Sequence, residues 1–124
     1  MPDKVVDASA LAAIAFAEPG ADAVIDQIDG HRLHAPTLAV FELMNVAWKR
    51  AKKQPKATGL FLEALDMLEG LSLQFRGIDQ GDVVKLGIAT GLTAYDATYL
   101  WLAQALQMPL VTLDKKLGAH AKRL

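Results

Sequence analysis

The feature that most constrains the fold of this chain is a regular alternation between short β-like runs and longer helical patterns. The runs that predict strands cover residues 4–6, 32–34, 73–76 and 110–112. Helical periodicity covers residues 9–16, 21–29, 37–53, 56–69, 80–90, 95–107 and 115–121. Strands that alternate with helices are typical of a parallel sheet covered by helices on both faces. The pattern therefore predicts an α/β three-layer sandwich with a central parallel sheet of four to five strands.

Composition limits the classes of protein to which the chain can belong. Its 124 residues, of which 52% are hydrophobic, predict that residues 1–124 form a single domain. A charged fraction of 22% and a net charge of −1 are unlike those of a disordered chain. The absence of cysteine excludes a disulfide scaffold, a thiolate metal site and a cysteine nucleophile. With a pI near 6.3, any contact with nucleic acid must come from a local basic patch.

The apolar stretch at residues 10–17 resembles the core of a secretory signal, but its surroundings do not. Asp7 and Ser9 lie just before it, and Lys4 is the only basic residue on its N-terminal side. No run approaches the roughly 20 apolar residues that a membrane span needs. We therefore expect a cytoplasmic protein with no membrane partner.

Acidic side chains follow the first and the last predicted strands. Asp7 ends the first strand and is followed by Ser9, and the last strand runs into Thr112 and Asp114. In open parallel sheets, functional sites form at the carboxyl ends of the strands. Each aspartate also has a purely structural explanation as the N-cap of the helix that follows it.

The helix predicted over residues 37–53 contains an unusual glutamate. Between residues 38 and 48 only Glu42 and Asn45 are polar, and Trp48 is spaced like a core residue. A helix that is apolar nearly all round is expected to be covered on more than one side, where a carboxylate is costly to bury unless something pairs with it. Glu42, Asn45 and Lys49 share one stripe of the helix. An ion pair between Glu42 and a lysine or arginine is the structural alternative to a functional role.

Asp96 is the fourth acidic candidate. It would stand third in a helix capped by Thr93, where a carboxylate also complements the helix dipole. In the predicted sheet, Asp7, Glu42, Asp96 and Asp114 can converge on one crevice. Two carboxylates about 5 Å apart repel by roughly 3 kcal/mol, so protons or a metal ion must neutralise them. Oxygen ligands without histidine or thiolate select Mg²⁺ or Mn²⁺, ions that promote phosphodiester hydrolysis.

Four segments of the chain resemble the PIN domain, and in particular the small ribonuclease toxins of VapBC-type toxin–antitoxin modules. The matching segments are residues 5–11, 41–46, 93–100 and 111–117. The resemblance implies a metal-dependent endoribonuclease in which Asp7, Glu42, Asp96 and Asp114 are the catalytic and metal-binding acids. It further implies that Ser9 and Thr112 orient these carboxylates and that Asn45 lines the same pocket.

The resemblance also implies partners and one further element. The partners are an RNA substrate, a second copy in a homodimer and a VapB-type antitoxin whose C-terminal segment blocks the site. Relatives continue after the last helix into a short edge strand, whereas this sequence stops at Leu124, so the fifth strand is in doubt.

The densest basic cluster lies at the end of the third predicted helix. It includes Lys49, Lys52 and Lys53, which we predict to bind the phosphates of the substrate. The alternative is that lysines at a helix end favour the helix dipole and solubility.

Two other functions remain open from the sequence. One is a receiver-like phosphoacceptor domain, although that class needs adjacent acids at the first strand end, and Asp7 stands alone. The other is a catalytically silent PIN-like binding module that acts only through a partner. A phosphate-donor assay would identify the first, and a turnover assay with Mn²⁺ on partner-free protein would identify the second.

Overall fold

The computed structural model describes residues 3–122, and within that range four strands form a single parallel sheet. The strands are β1 (Asp3–Val6), β2 (Arg32–Pro36), β3 (Gln74–Arg76) and β4 (Leu110–Val111). The predicted α/β architecture is confirmed, with strand ends displaced by at most two residues. Any fifth strand would fall beyond residue 122, outside the described residues.

The helices follow the predicted pattern closely, with one exception. They are α1 (Ala8–Ala15), α2 (Ala21–Ile28), α3 (Leu38–Lys53), α4 (Thr58–Glu69), α5 (Gln80–Thr90), α6 (Ala94–Leu106) and α7 (Lys115–Ala121). The exception is the start of α4, predicted at residue 56, where a 3₁₀ turn over Pro55–Ala57 instead joins α3 to α4. Proline lacks the amide hydrogen that a helix interior needs but suits the first position of a helical turn, so the chain breaks there.

Neighbouring residues of β1 show that helices cover both faces of the sheet. Val5 packs in a small cluster with Leu102 and Ala103 of α6. Val6 belongs to the main core, together with Leu11 of α1. Because successive side chains of a strand point to opposite faces, these two contacts place helices on the two sides of the sheet.

The strand order is β3-β2-β1-β4, so β1 lies in the middle of the sheet. The chain moves outward from β1 to β2 and β3 on one side, and then returns to place β4 on the other side of β1. The order therefore reverses between β1 and β4. In open parallel sheets the crevice beyond such a reversal is the usual binding site.

The expectation that α3 is covered on more than one side is wrong for the isolated chain. Its buried side is made of small and medium residues, Ala39, Leu43 and Ala47. Three large apolar residues instead point into solvent: Phe41, Met44 and Trp48, which are 64%, 52% and 56% exposed. Trp48 is therefore not a core residue. We refer to Phe41, Met44 and Trp48 as the apolar side of α3.

None of the helices in the described part of the chain combines the length and apolar character needed to cross a bilayer.

Candidate active site

Asp7 lies where β1 gives way to α1, at the crevice where the strand order reverses. Its backbone is extended, and its Oδ1 accepts a hydrogen bond of 3.0 Å from the amide of Ala10, which makes it the N-cap of α1. The structural explanation for this aspartate is thus correct. The residue is also only 4% exposed, which is unusual for a carboxylate without a cationic partner.

Two hydroxyl groups hold the carboxylate of Asp7. Ser9 Oγ donates to Asp7 Oδ1 at 2.7 Å, and Thr112 Oγ1, just after β4, donates to Asp7 Oδ2 at 2.5 Å. The amide of Leu113 donates in turn to Ser9 Oγ at 3.0 Å. The ends of β1 and β4 are therefore tied together through one carboxylate.

Asp114 follows Thr112 and has a capping role of its own. Its Oδ1 accepts a hydrogen bond of 2.9 Å from the amide of Leu117, so it is the N-cap of α7. Its amide donates to Thr112 Oγ1 at 3.0 Å. Because Val6 and Val111 are paired across β1 and β4, the aspartates that follow the two strands lie at the same edge of the sheet.

Glu42 is half-buried on α3, and its partner is a tyrosine rather than a cation. Tyr99 of α6 donates its hydroxyl to Glu42 Oε1 at 2.5 Å. No lysine or arginine in residues 3–122 pairs with Glu42, so the ion-pair alternative is wrong. The sequence pattern did not indicate Tyr99 as a functional residue. Its position three residues after Asp96, on the same side of α6, is the signal that would have identified it.

Asp96 stands at the third position of α6, as predicted. Its amide donates to the Thr93 hydroxyl at 3.2 Å, which confirms Thr93 as the N-cap. The cation near it is Lys116 of α7, which also donates to the carbonyl of Gly91 at 3.1 Å. The N-terminus of α6 therefore faces the same crevice as the start of α7.

The electrostatics of Asp7 reflect its burial. Burial raises its pKa above the ordinary value, while the hydrogen bonds from Thr112, Ala10 and Ser9 oppose that rise. The negative charge of Asp114 raises the pKa of Asp7 further. Burial and a nearby like charge both favour the neutral carboxyl group.

Glu42 and Asp96 belong to the same cluster of negative charge. Burial raises the pKa of Glu42; its hydrogen bond with Tyr99 lowers it, and the charges of Asp96 and Asp7 raise it again. Burial likewise raises the pKa of Asp96; Asp114 and Asp7 add to this rise, whereas Lys116 opposes it. The structure thus brings together four carboxylates from four separate segments of the chain. We call Asp7, Glu42, Asp96 and Asp114 the acidic cluster.

The donor chemistry of the acidic cluster fits a hard divalent cation. It offers carboxylate oxygens whose mutual repulsion a cation would relieve, and no thiolate competes. Among residues 3–122, however, no three acidic or histidine side chains meet closely enough to form a metal site. Hydroxyl groups occupy both oxygens of Asp7 and one oxygen of Glu42. The carboxylates would have to draw closer together to share an ion.

An open cleft of about 370 Å³ leads away from the acidic cluster between α1 and α3. Ser9 and Glu42 line it, together with the other two polar residues of the predicted stripe, Asn45 and Lys49. Glu18 also lines the cleft, where it forms an ion pair with Arg50.

The predicted substrate-binding lysines do not all lie on one side of α3. Lys53 lines a second cavity together with Lys49. Lys52 instead lies over the ring of Trp48, with its Nζ 4.6 Å from the ring centroid. The structure therefore brings Lys49 and Lys53 together and separates Lys52 from them.

Comparison with known proteins identifies the family to which the chain belongs. Ribonuclease VapC3 of Pyrobaculum aerophilum is 30% identical over 119 residues, which cover 92% of this chain and 91% of that protein. Exonuclease VapC9 of the same organism is 31% identical over 127 residues, covering 95% and 85% of the two chains. The crystal structure of PAE2754 from P. aerophilum has a TM-score of 0.78 at 29% identity, covering 95% of this chain and 84% of that chain. The family model of the PIN domain matches residues 4–123. Since that match spans nearly the whole chain, this protein belongs to the PIN domain family.

Proposed function

We propose that this protein is a Mg²⁺- or Mn²⁺-dependent endoribonuclease and the toxin component of a VapBC-type toxin–antitoxin pair. The observation that carries the proposal is the acidic cluster at the reversal of strand order, where burial and mutual repulsion raise the pKa of several carboxyl groups. The names of the relatives, a ribonuclease and an exonuclease, support a nuclease. The family membership leaves no support for a receiver-like phosphoacceptor.

The acidic cluster would supply the metal ligands, from Asp7, Glu42, Asp96 and Asp114. A divalent ion held by these residues would supply positive charge to polarise the phosphodiester and to activate a water molecule. The surrounding hydroxyl groups set the direction of the carboxylates: Ser9 and Thr112 hold Asp7, and Tyr99 holds Glu42.

Ser9 acts as a positioning residue in this proposal rather than as a nucleophile. Its hydroxyl donates to Asp7 and accepts from the amide of Leu113, so both its proton and a lone pair are already engaged. Hydrolysis then proceeds by direct attack of water, with no covalent link between enzyme and RNA.

The cleft between α1 and α3 would admit the substrate. Lys49 offers a positive charge to a backbone phosphate, and Asn45 offers an amide that can donate to an oxygen of the same strand. Contacts of this kind grip the RNA backbone and read little of its sequence.

The proposal is tested by RNA cleavage with Asp7→Asn and Asp96→Asn. Both variants should lose Mn²⁺-dependent cleavage, because each removes a charge from the acidic cluster. A matched control is Asp26→Asn, an exposed aspartate on α2, which should cleave as the parent does. If either cluster variant cuts RNA as fast as the parent, the catalytic assignment is wrong. If the purified parent cuts no RNA with Mg²⁺ or Mn²⁺, the chain is the catalytically silent binding module.

A circular RNA substrate tests the endonuclease part of the proposal. An endonuclease opens the circle, whereas an exonuclease needs a free end and leaves it intact. Loss of the circle in Mn²⁺, and its survival in EDTA, is the expected result.

The proposal includes two protein partners. A homodimer would cover the apolar side of α3, because Phe41, Met44 and Trp48 are large, exposed and close together on one helix. A VapB-type antitoxin would block the cleft. We expect it to be encoded by a small neighbouring gene for a DNA-binding protein. Because the proposed substrate is RNA, the proposal places the protein in the cytoplasm.

A further inference from the structure

The cleft beside the acidic cluster continues into a second cavity at the C-terminal end of α3. The two cavities share Val46 and Lys49, so they adjoin each other along the helix. The second has a volume of about 320 Å³. Its other lining residues are Arg50, Lys53, Gln54 and Phe61. We call it the basic cavity.

The charge of the basic cavity is only partly compensated. Arg50 pairs with Glu18, and its guanidinium lies 5.1 Å from the centroid of the Phe16 ring. Neither Lys49 nor Lys53 forms an ion pair with any residue that the structure describes. Two free ammonium groups therefore face one cavity, an arrangement that favours an anionic ligand.

The remaining lining residues suit a nucleotide strand better than a small anion. Phe61 offers an aromatic surface, and its ring is held by an edge-to-face contact with Phe16 at 6.1 Å between centroids. Gln54 offers an amide with both a donor and an acceptor. Cations combined with an aromatic ring are the usual elements of grooves that bind single-stranded nucleic acid without reading its sequence.

The distance between Lys53 and Glu42 defines which part of an RNA strand could reach Lys53. The two residues are eleven positions apart on α3, so their backbones are separated by roughly 16 Å along the helix axis. Eleven residues are close to three full turns, so both lie on the same side of the helix. Lys53 is thus too far away to touch the phosphate being cut but lies on the same path.

We propose that the basic cavity is a subsite for the RNA strand, which it holds by its backbone a few nucleotides from the cut. This inference rests on the proposed nuclease function and adds a location for one flank of the substrate. It assigns Arg50, Gln54 and Phe61 to the substrate path and excludes Lys52, which lies over Trp48 on another side of α3.

The neighbouring lysines Lys52 and Lys53 provide a matched test. Both are exposed residues in the last turn of α3, so each should contribute similarly to the helix dipole and to solubility. Of these two residues, Lys53 lines the basic cavity and Lys52 does not. A difference between Lys53→Gln and Lys52→Gln therefore reports on the cavity and not on charge alone.

The first measurement is the binding of a labelled single-stranded RNA to the whole protein in EDTA, monitored by fluorescence anisotropy. Lys53→Gln should weaken binding about fivefold and reduce the slope of log K against log salt by roughly 0.7, the value for one single-strand phosphate contact. Lys52→Gln should stay within about twofold of the parent. Equal losses in the two variants, or no loss in Lys53→Gln and Lys53→Glu with unchanged thermal unfolding, would overturn the proposal.

The second measurement compares cleavage of two RNAs that share the cut site. One extends on both sides, and the other has been shortened until it no longer reaches the basic cavity. Lys53→Gln should lower kcat/KM on the long RNA and leave it unchanged on the short one, whereas an equal effect on both would contradict a distant subsite. If the parent cleaves neither RNA, the proposed function fails, while the binding comparison still decides whether the cavity holds RNA.

Discussion

At the level of single residues, the acids of the site carry ordinary structural duties as well. Asp7 and Asp114 each cap a helix, and Asp96 stands in the first turn of another. What separates Asp7 and Asp96 from common capping residues is burial together with nearby negative charge, which raises the pKa of both. A capping role and a proposed catalytic role are therefore compatible in one side chain.

Tyr99→Phe is expected to reduce RNA cleavage about tenfold, equivalent to about 1.4 kcal/mol of transition-state stabilisation. The hydroxyl that it removes lowers the pKa of Glu42. Without that hydroxyl, the acid limb of the pH–rate profile should move to higher pH. Tyr95→Phe is the matched control, because Tyr95 lies on the same helix and is 65% exposed. A Tyr99→Phe profile that superimposes on that of the parent would rule out the positioning role.

Asp7→Asn should change how stability depends on pH in metal-free buffer. Burial raises the pKa of Asp7 in the folded protein, so the folded state binds the proton more tightly than the unfolded state does. The contribution of Asp7 to the free energy of unfolding therefore becomes more favourable as the pH falls from the raised pKa toward the pKa in the unfolded chain, about 3.9. Denaturation from pH 7 to 4 should show the variant equal to or more stable than the parent at pH 7. The stability advantage of Asp7→Asn should shrink as the pH is lowered. If the free energy of unfolding of the two proteins changes in parallel with pH, the raised pKa of Asp7 is contradicted.

At the level of elements, strand ends and helix starts place the site. Each of β1 and β4 ends in a short segment whose aspartate caps the next helix, so the carboxylate is set at the strand end by the turn itself. The helices α3 and α6 contribute Glu42 and Asp96 from either side of the sheet. The site is thus built from rigid elements rather than from a long loop.

Asp114→Asn and Asp114→Ala should separate the cap from the charge. Asparagine caps a helix as well as aspartate does, so Asp114→Asn should keep the stability of the parent to within about 0.5 kcal/mol. Asp114→Ala loses the bond to the Leu117 amide and should cost about 1 kcal/mol in urea denaturation. Both variants should lose RNA cleavage. Cleavage that survives in Asp114→Asn would show that the residue is a cap only.

At the level of the whole molecule, exposed apolar surface is the most informative property. The apolar side of α3 points away from the core, whereas Glu42 and Lys49 on the same helix line the cleft. A second copy bound on that side would leave the cleft open to substrate. The fold therefore separates the surface proposed for dimer formation from the surface proposed for RNA.

Met44→Glu is expected to convert a dimer to a monomer without unfolding the chain. A charge introduced at an exposed position of the apolar side of α3 costs little in the monomer but is costly when a second copy covers it. Sedimentation velocity should show the parent as a dimer and the variant as a monomer with the same thermal unfolding. Leu62→Glu, which alters an exposed apolar residue of α4, is the control. A parent that sediments as a monomer would contradict the proposed dimer.

The amino-acid sequence by itself determined the parallel α/β architecture, the helix cap at Thr93, and the acids at the strand ends. Each of these depends on local periodicity or on a short turn, which neighbouring residues specify. Only the tertiary structure decided that Tyr99 is the partner of Glu42, that Trp48 is exposed, and that Lys52 and Lys53 lie on different sides of α3. These depend on which distant segments cover a helix, and the periodicity of that helix does not encode its neighbours.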